Sequence, residues 1–128
     1  MKQLLILLLF ISGVYNCNAQ YTREKLISIL TDNEKVWTVK KGTAPGAKTF
    51  TFNKNFTAEV VKQNGKNATV EWTLSTLDNI RWFITIDNQK FELIVSYDKT
   101  GQQYLKLNLQ PRDIKTSVYE ETILYPTK

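Results

Sequence analysis

The side chains able to do chemistry in this chain are few, and the gaps are informative. It has 128 residues, no histidine and one cysteine, Cys17. Without histidine there is no Ser-His-Asp or Cys-His arrangement and no ordinary general base near neutral pH. Zinc and copper lose their usual nitrogen and sulfur ligands for the same reason. The five glycines (Gly13, Gly42, Gly46, Gly65 and Gly101) are too scattered for a phosphate loop, and no alternating acids match a calcium loop. Paired carboxylates can hydrolyse glycosides unaided. The candidates are Glu59 with Glu71, and the neighbours Glu120 and Glu121. Glu59 and Glu71 stand among threonines on what the strand pattern below makes a convex face, which cannot enclose a sugar. No catalytic residue, metal or cofactor is therefore assigned, and the expectation is a non-enzyme.

Aromatic side chains are the remaining candidates, with three Trp, six Phe and six Tyr. Their value depends on which way each one points, and so on the elements that carry them. The N-terminus is read first. Met1-Lys2-Gln3 precedes an unbroken apolar run from Leu4 to Ile11, and a small residue follows at Ala19. This three-part pattern predicts a signal peptide over 1–19, with Gln20 as the new N-terminus. The run falls short of the roughly 20 residues needed to span a bilayer, and no later segment is more apolar. Cys17 offers a second reading, a lipid anchor. Asn16 and bulky Tyr15 before it depart from the small residues that lipoprotein processing prefers, so export to the periplasm or beyond is expected without an anchor. Residues 20–128 then form one cysteine-free domain whose stability must come from its core. Its formal charge falls from +5 to +4 with the loss of Lys2. Residues 20–66 hold nine cations against four acids, and residues 67–128 hold seven against eight. A one-sided basic surface attracts anionic partners, but export argues against nucleic acid.

Tyr21 to Thr31 is the one helical stretch, with Leu26, Ile29 and Leu30 on one face. From there on, period-two alternation predicts eight strands, at 35–40, 48–53, 56–62, 67–76, 80–87, 90–97, 103–110 and 117–125. Facing the apolar set inward requires three-residue loops at Asn53-Lys54-Asn55, Gln63-Asn64-Gly65, Leu77-Asp78-Asn79 and Lys99-Thr100-Gly101. Each ends in Asn or Gly, the residues most at ease in the left-handed conformation such loops need. A two-residue turn at Asn88-Gln89 sets Ile86 opposite Phe91 and Phe83 opposite Ile94. The fold class expected is all-β, an eight-stranded antiparallel up-and-down meander closing into a barrel. The outward pair Phe83 and Ile94 is the expected seat of the 21–31 helix. If the helix plugs the barrel end instead, that pair becomes a partner-contact patch.

Signal segment, short helix, Trp37 on the first strand and an eight-strand meander together resemble the small lipocalin-like proteins exported by bacteria. The family's Gly-x-Trp signature reads Lys35-Val36-Trp37 here, with lysine in place of glycine. The resemblance implies a cation set against Trp37, with Arg112 the nearest match and Arg81 a weaker one. It also implies a barrel with room for a pocket. The first functional reading is an exported binding protein holding a small apolar ligand among the inward-facing Phe56, Trp72, Trp82, Phe91 and Tyr97. The alternative is a protein-binding module, such as an inhibitor, an immunity protein or a component of an envelope assembly. It would act through Lys40, Lys41 and Lys48 or through the Phe83/Ile94 patch.

Overall fold

The computed structural model describes residues 21–42, 46–110 and 121–127. The proposed signal segment, Cys17 and Arg112 lie outside them. Helix α1 (Arg23–Thr31) is followed by a 3-10 turn and eight strands: β1 (Val36–Lys41), β2 (Ala47–Phe52), β3 (Thr57–Lys62), β4 (Asn67–Thr76), β5 (Trp82–Ile86), β6 (Gln89–Tyr97), β7 (Gln103–Leu109) and β8 (Glu121–Thr127). Every strand pairs antiparallel with its sequence neighbours, and β8 returns to β1, closing the barrel. The strands alternate as expected. Trp37, Phe50, Phe52, Trp72, Ile84, Ile86, Phe91, Leu105, Leu107 and Leu124 fill the interior and are essentially inaccessible to solvent.

Hairpin registers divide by turn chemistry. The two glycine-ended loops are as expected: Val60 faces Ala68 with Gly65 left-handed, and Val95 faces Leu105 with Gly101 left-handed. The others slip. Phe52 pairs with Ala58 rather than Phe56, because the loop is Lys54-Asn55-Phe56 and Phe56 takes the left-handed place. Two interactions hold it there. The Asn55 carboxamide oxygen accepts from the N–H and hydroxyl of Thr57, and the Phe56 ring packs 5.0 Å from Trp72.

Leu74 pairs with Ile84 rather than with Trp82, which the three-residue loop would place opposite it, so β5 starts at Trp82 and residues 77–81 form a longer loop. The Asp78 carboxylate closes that loop by accepting the N–H groups of Ile80 and Arg81, while Thr76 bonds across its base. The two-residue turn is Asp87-Asn88, both at positive φ, so Ile84 rather than Ile86 faces Phe91. Phe83 then faces Glu92, and Ile94 faces Lys106. Each slip moves a partner by an even number of residues. Inward residues therefore stay inward, and burial alone cannot detect the error.

The helix does not sit on the outer Phe83/Ile94 pair; it plugs one end of the barrel. Thr22 caps its N-terminus, accepting from the Lys25 N–H, and Leu26, Ile29 and Leu30 are buried. The plug is pinned by side chains that reach backbone carbonyls. The Trp37 indole donates to Leu30 O at 3.0 Å and the Lys35 ammonium to Ile29 O at 3.0 Å. Those carbonyls belong to the last turn of α1, where intrahelical donors run out and a cation is favoured. At the other end of α1, the Trp82 indole donates to Tyr21 O and the Arg23 guanidinium donates to Leu74 O.

Lys35, where the resemblance leads one to expect glycine, has a structural role of its own. Its ammonium lies 5.6 Å over the Trp37 ring while capping the helix, so Lys35 supplies the cation against Trp37. Arg81 does not take that role. It is exposed on the 77–81 loop, 3.9 Å from Asp78.

Candidate functional site

Odd strands start and even strands end at the helix-plugged end, so the β2–β3, β4–β5 and β6–β7 loops surround the helix there. The opposite end carries the β1–β2, β3–β4 and β5–β6 connections. The sequence-derived ligand residues distribute unevenly over this frame. Trp72 and Phe91 are completely buried in the interior. The Trp72 indole is already committed, donating to Asn53 O and Thr57 O. Trp82 lies under the helix with its indole on Tyr21 O. Phe56 is half-buried at the rim, beneath the Arg23 guanidinium at 6.0 Å.

Tyr97 does not point inward. It is 59% exposed, and its hydroxyl accepts from Gln103 Nε2. The side chain stands past the last inward β6 residue covered by the plug, so period two carries it out over the rim. A central void able to hold even water would leave accessible surface on its lining. Trp37, Phe50, Trp72, Ile84, Ile86, Phe91, Leu105 and Leu124 show none. The barrel centre that these side chains share is filled.

Open space lies at the rim instead. A cleft of about 640 Å³ is lined by Tyr21, Thr22, Arg23, Leu74, Ser75, Thr76, Asn79 and Trp82. It opens between the start of α1 and the 77–81 loop. Among the described residues the strongly exposed large apolar side chains are Leu77 at 93%, Ile80 at 60% and Tyr97 at 59%. All three belong to this end. Continuing the β5–β6 register past Trp82 and Leu93 brings the 77–81 loop alongside Tyr97. Tyr97 in turn lies close enough to the Tyr21 hydroxyl at the cleft wall to raise its pKa. Burial, and then Tyr97, raise the Tyr21 phenol above the ordinary tyrosine range.

The 77–81 loop itself is firmly set. Backbone N–H groups of Arg81 and Ile80 hold the Asp78 carboxyl below the usual carboxylate range, which keeps it an acceptor and keeps the loop closed.

Sequence reasoning missed Leu77 and Ile80 because it placed Ile80 on a strand facing inward. The warning signal was Asp78: an Asx residue that can bond two following N–H groups favours a longer loop over a tight hairpin. Phe83 and Ile94 are each half-buried on the outer face, with the Lys90 ammonium 4.6 Å over the Phe83 ring. Lys40, Lys41 and Lys48 are exposed at the opposite end. Glu59 and Glu71 are exposed and diagonal to each other on the convex face. Among the described residues no group of three or more His, Cys, Asp or Glu side chains is placed to hold a metal ion, and no helix is long and apolar enough to cross a membrane. No protein-family model matches this chain, and no curated protein or solved structure matches it either.

Proposed function

We propose that this protein is an exported, non-enzymatic binding module of lipocalin-like build that engages a protein partner at the helix-plugged rim. The observation that carries the reading is the grouping of Leu77, Ile80 and Tyr97, exposed together at one end beside the Tyr21/Arg23 cleft. Large apolar side chains held out beside a hydrogen-bonded loop lose water when a partner covers them, with little backbone left to order, which favours a contact hot spot. A cleft with an apolar lip, a phenol and a guanidinium accepts a protruding partner side chain or loop. The packed barrel centre supports a surface interaction over a ligand enclosed between Trp72 and Phe91.

The test pairs two measurements. Capture of a defined envelope protein by the wild-type chain is expected to drop at least tenfold for the double variant Leu77→Asp, Ile80→Asp, with its melting temperature unchanged. Titration with a hydrophobic fluorophore is expected to give no saturable quenching of the tryptophans. Saturable quenching abolished by Phe91→Ala, together with unchanged capture by the double variant, would return the function to the barrel interior.

A further inference from the structure

The opposite end of the barrel has a different chemistry. Lys40 and Lys41 close β1, Lys48 opens β2, Lys62 closes β3, and Lys66 lies in the β3–β4 hairpin. All five are exposed. Topology makes them neighbours: Ala47 pairs with Lys62, and the Lys62 N–H donates to Lys66 O at 2.8 Å. Two register shifts sharpen the grouping. Between Val39 and Lys41 the β1–β8 ladder gains a residue, Lys40, and between Ala47 and Thr49 the β2–β3 ladder gains Lys48. A bulge re-aims the side chain it carries, and here both bulged residues are lysines on adjacent strands.

Among the described residues no ion pair ties a carboxylate to these lysines. The ion pairs among the described residues, Lys54–Asp32 and Arg81–Asp78, are both at the helix end. The nearest described carboxylates are Glu59, farther along β3 beside Thr51 and Thr69, and Glu121 at the start of β8. Asp87 belongs to the β5–β6 turn, across the barrel.

We propose that this lysine end docks on the surface of an anionic lipid bilayer, independently of the partner at the other rim. The residue type decides between kinds of anion. Specific recognition of one phosphate or carboxylate group calls for arginine's bidentate fork and a recess to hold it. The described arginines, Arg23 and Arg81, are both at the helix end, and the five lysines are all exposed. Compact point charges spread over one end of a cylinder suit a broad charged plane, where each contributes by proximity alone. Docking this way points the apolar rim and its cleft away from the membrane, free for a protein partner.

The experiment is sedimentation of the purified protein with vesicles of phosphatidylcholine, with and without about one-third phosphatidylglycerol. Partitioning is expected only with the anionic lipid, fading as salt rises past about 0.15 M. The triple variant Lys40→Gln, Lys41→Gln, Lys48→Gln should lose about a hundredfold in partitioning, roughly fivefold per charge. A control triple at the helix end (Lys25→Gln, Lys54→Gln, Lys99→Gln) makes the same change in net charge and should lose no more than a few-fold. The proposal is overturned by equal binding to neutral vesicles, by no binding to anionic ones at low salt, or by equal losses in the two triples. Binding to soluble dextran sulfate but not to vesicles would assign the lysines to a polymeric anion and overturn it as well.

Discussion

Both ends of this barrel have hairpins turned by residues at positive φ, and among the described residues the helix end adds a plug. At the helix end, closure depends on long side chains that cross from one element to another: two indoles, one guanidinium and one ammonium, each donating to a backbone carbonyl of α1, Tyr21 or Leu74. At the lysine end the described connections are closed by backbone hydrogen bonds and by residues at positive φ, among them Gly42, Gly65, Asp87 and Asn88. The first end is a packing problem with satisfied polar atoms, and damage there removes buried surface. The second is a backbone problem, and damage there stores strain.

The largest expected effect tests the plug. Leu30 is completely buried between α1 and the barrel. Leu30→Ala removes that contact and leaves a cavity beside Trp37, at a cost of about 3 kcal/mol, read from the shift in a urea unfolding midpoint at constant slope. A loss under about 1 kcal/mol would mean that the helix rests on the barrel without belonging to its core.

Strain at the other end comes next. Gly42 has φ +90°, and a Cβ there would lie 2.5 Å from the carbonyl oxygen of Glu121, a backbone atom that cannot swing away. Gly42→Ala combines a left-handed penalty with a forced separation of β1 from β8, for about 2 kcal/mol or more. Gly65 has nearly the same φ, +83°, with open space around it. Gly65→Ala should therefore cost the conformational part alone, about 1 kcal/mol. The two unfolding midpoints measured side by side separate close approach from backbone strain. Equal losses would show that β8 yields to accommodate the methyl group.

That pair of glycines also shows where sequence reading reached and where it stopped. Gly65 and Gly101 were legible because glycine takes the left-handed place freely, so its position names the end of the loop. Asn55 and Asn79 carried less information. Asparagine bonds its own backbone as readily as it turns left-handed, and at 53–57 it does the former while Phe56 does the latter. The inward direction of Trp72, Trp82 and Phe91 survived these slips because an even slip preserves faces. The exposed lip of Leu77 and Ile80 did not, since it depends on where β5 begins. Gly42 was silent, because its constraint comes from β8, far along the chain. The role of Lys35 was hidden likewise: only the docked helix brings the Ile29 carbonyl within its reach.

The smallest expected effect concerns the Tyr21–Tyr97 contact, and here the sign decides the experiment. The Tyr21 phenol is raised by burial first and by Tyr97 second. The folded state therefore holds that proton more tightly than the unfolded chain does. Stability from this source is complete below the ordinary tyrosine value of about 10. It declines as pH climbs through that value toward the raised one, because the unfolded chain ionises first. A plot of melting temperature against pH from about 9 to 11 should fall more steeply for the wild-type chain than for Tyr21→Phe, which has no proton to lose at that site. The other tyrosines ionise in both proteins and cancel in the comparison. Tyr125, raised by burial and then by Asp98, supplies an internal check: Tyr125→Phe should flatten the curve without changing binding at the cleft. Parallel curves for the wild type and Tyr21→Phe would mean that the phenol meets solvent equally in both states.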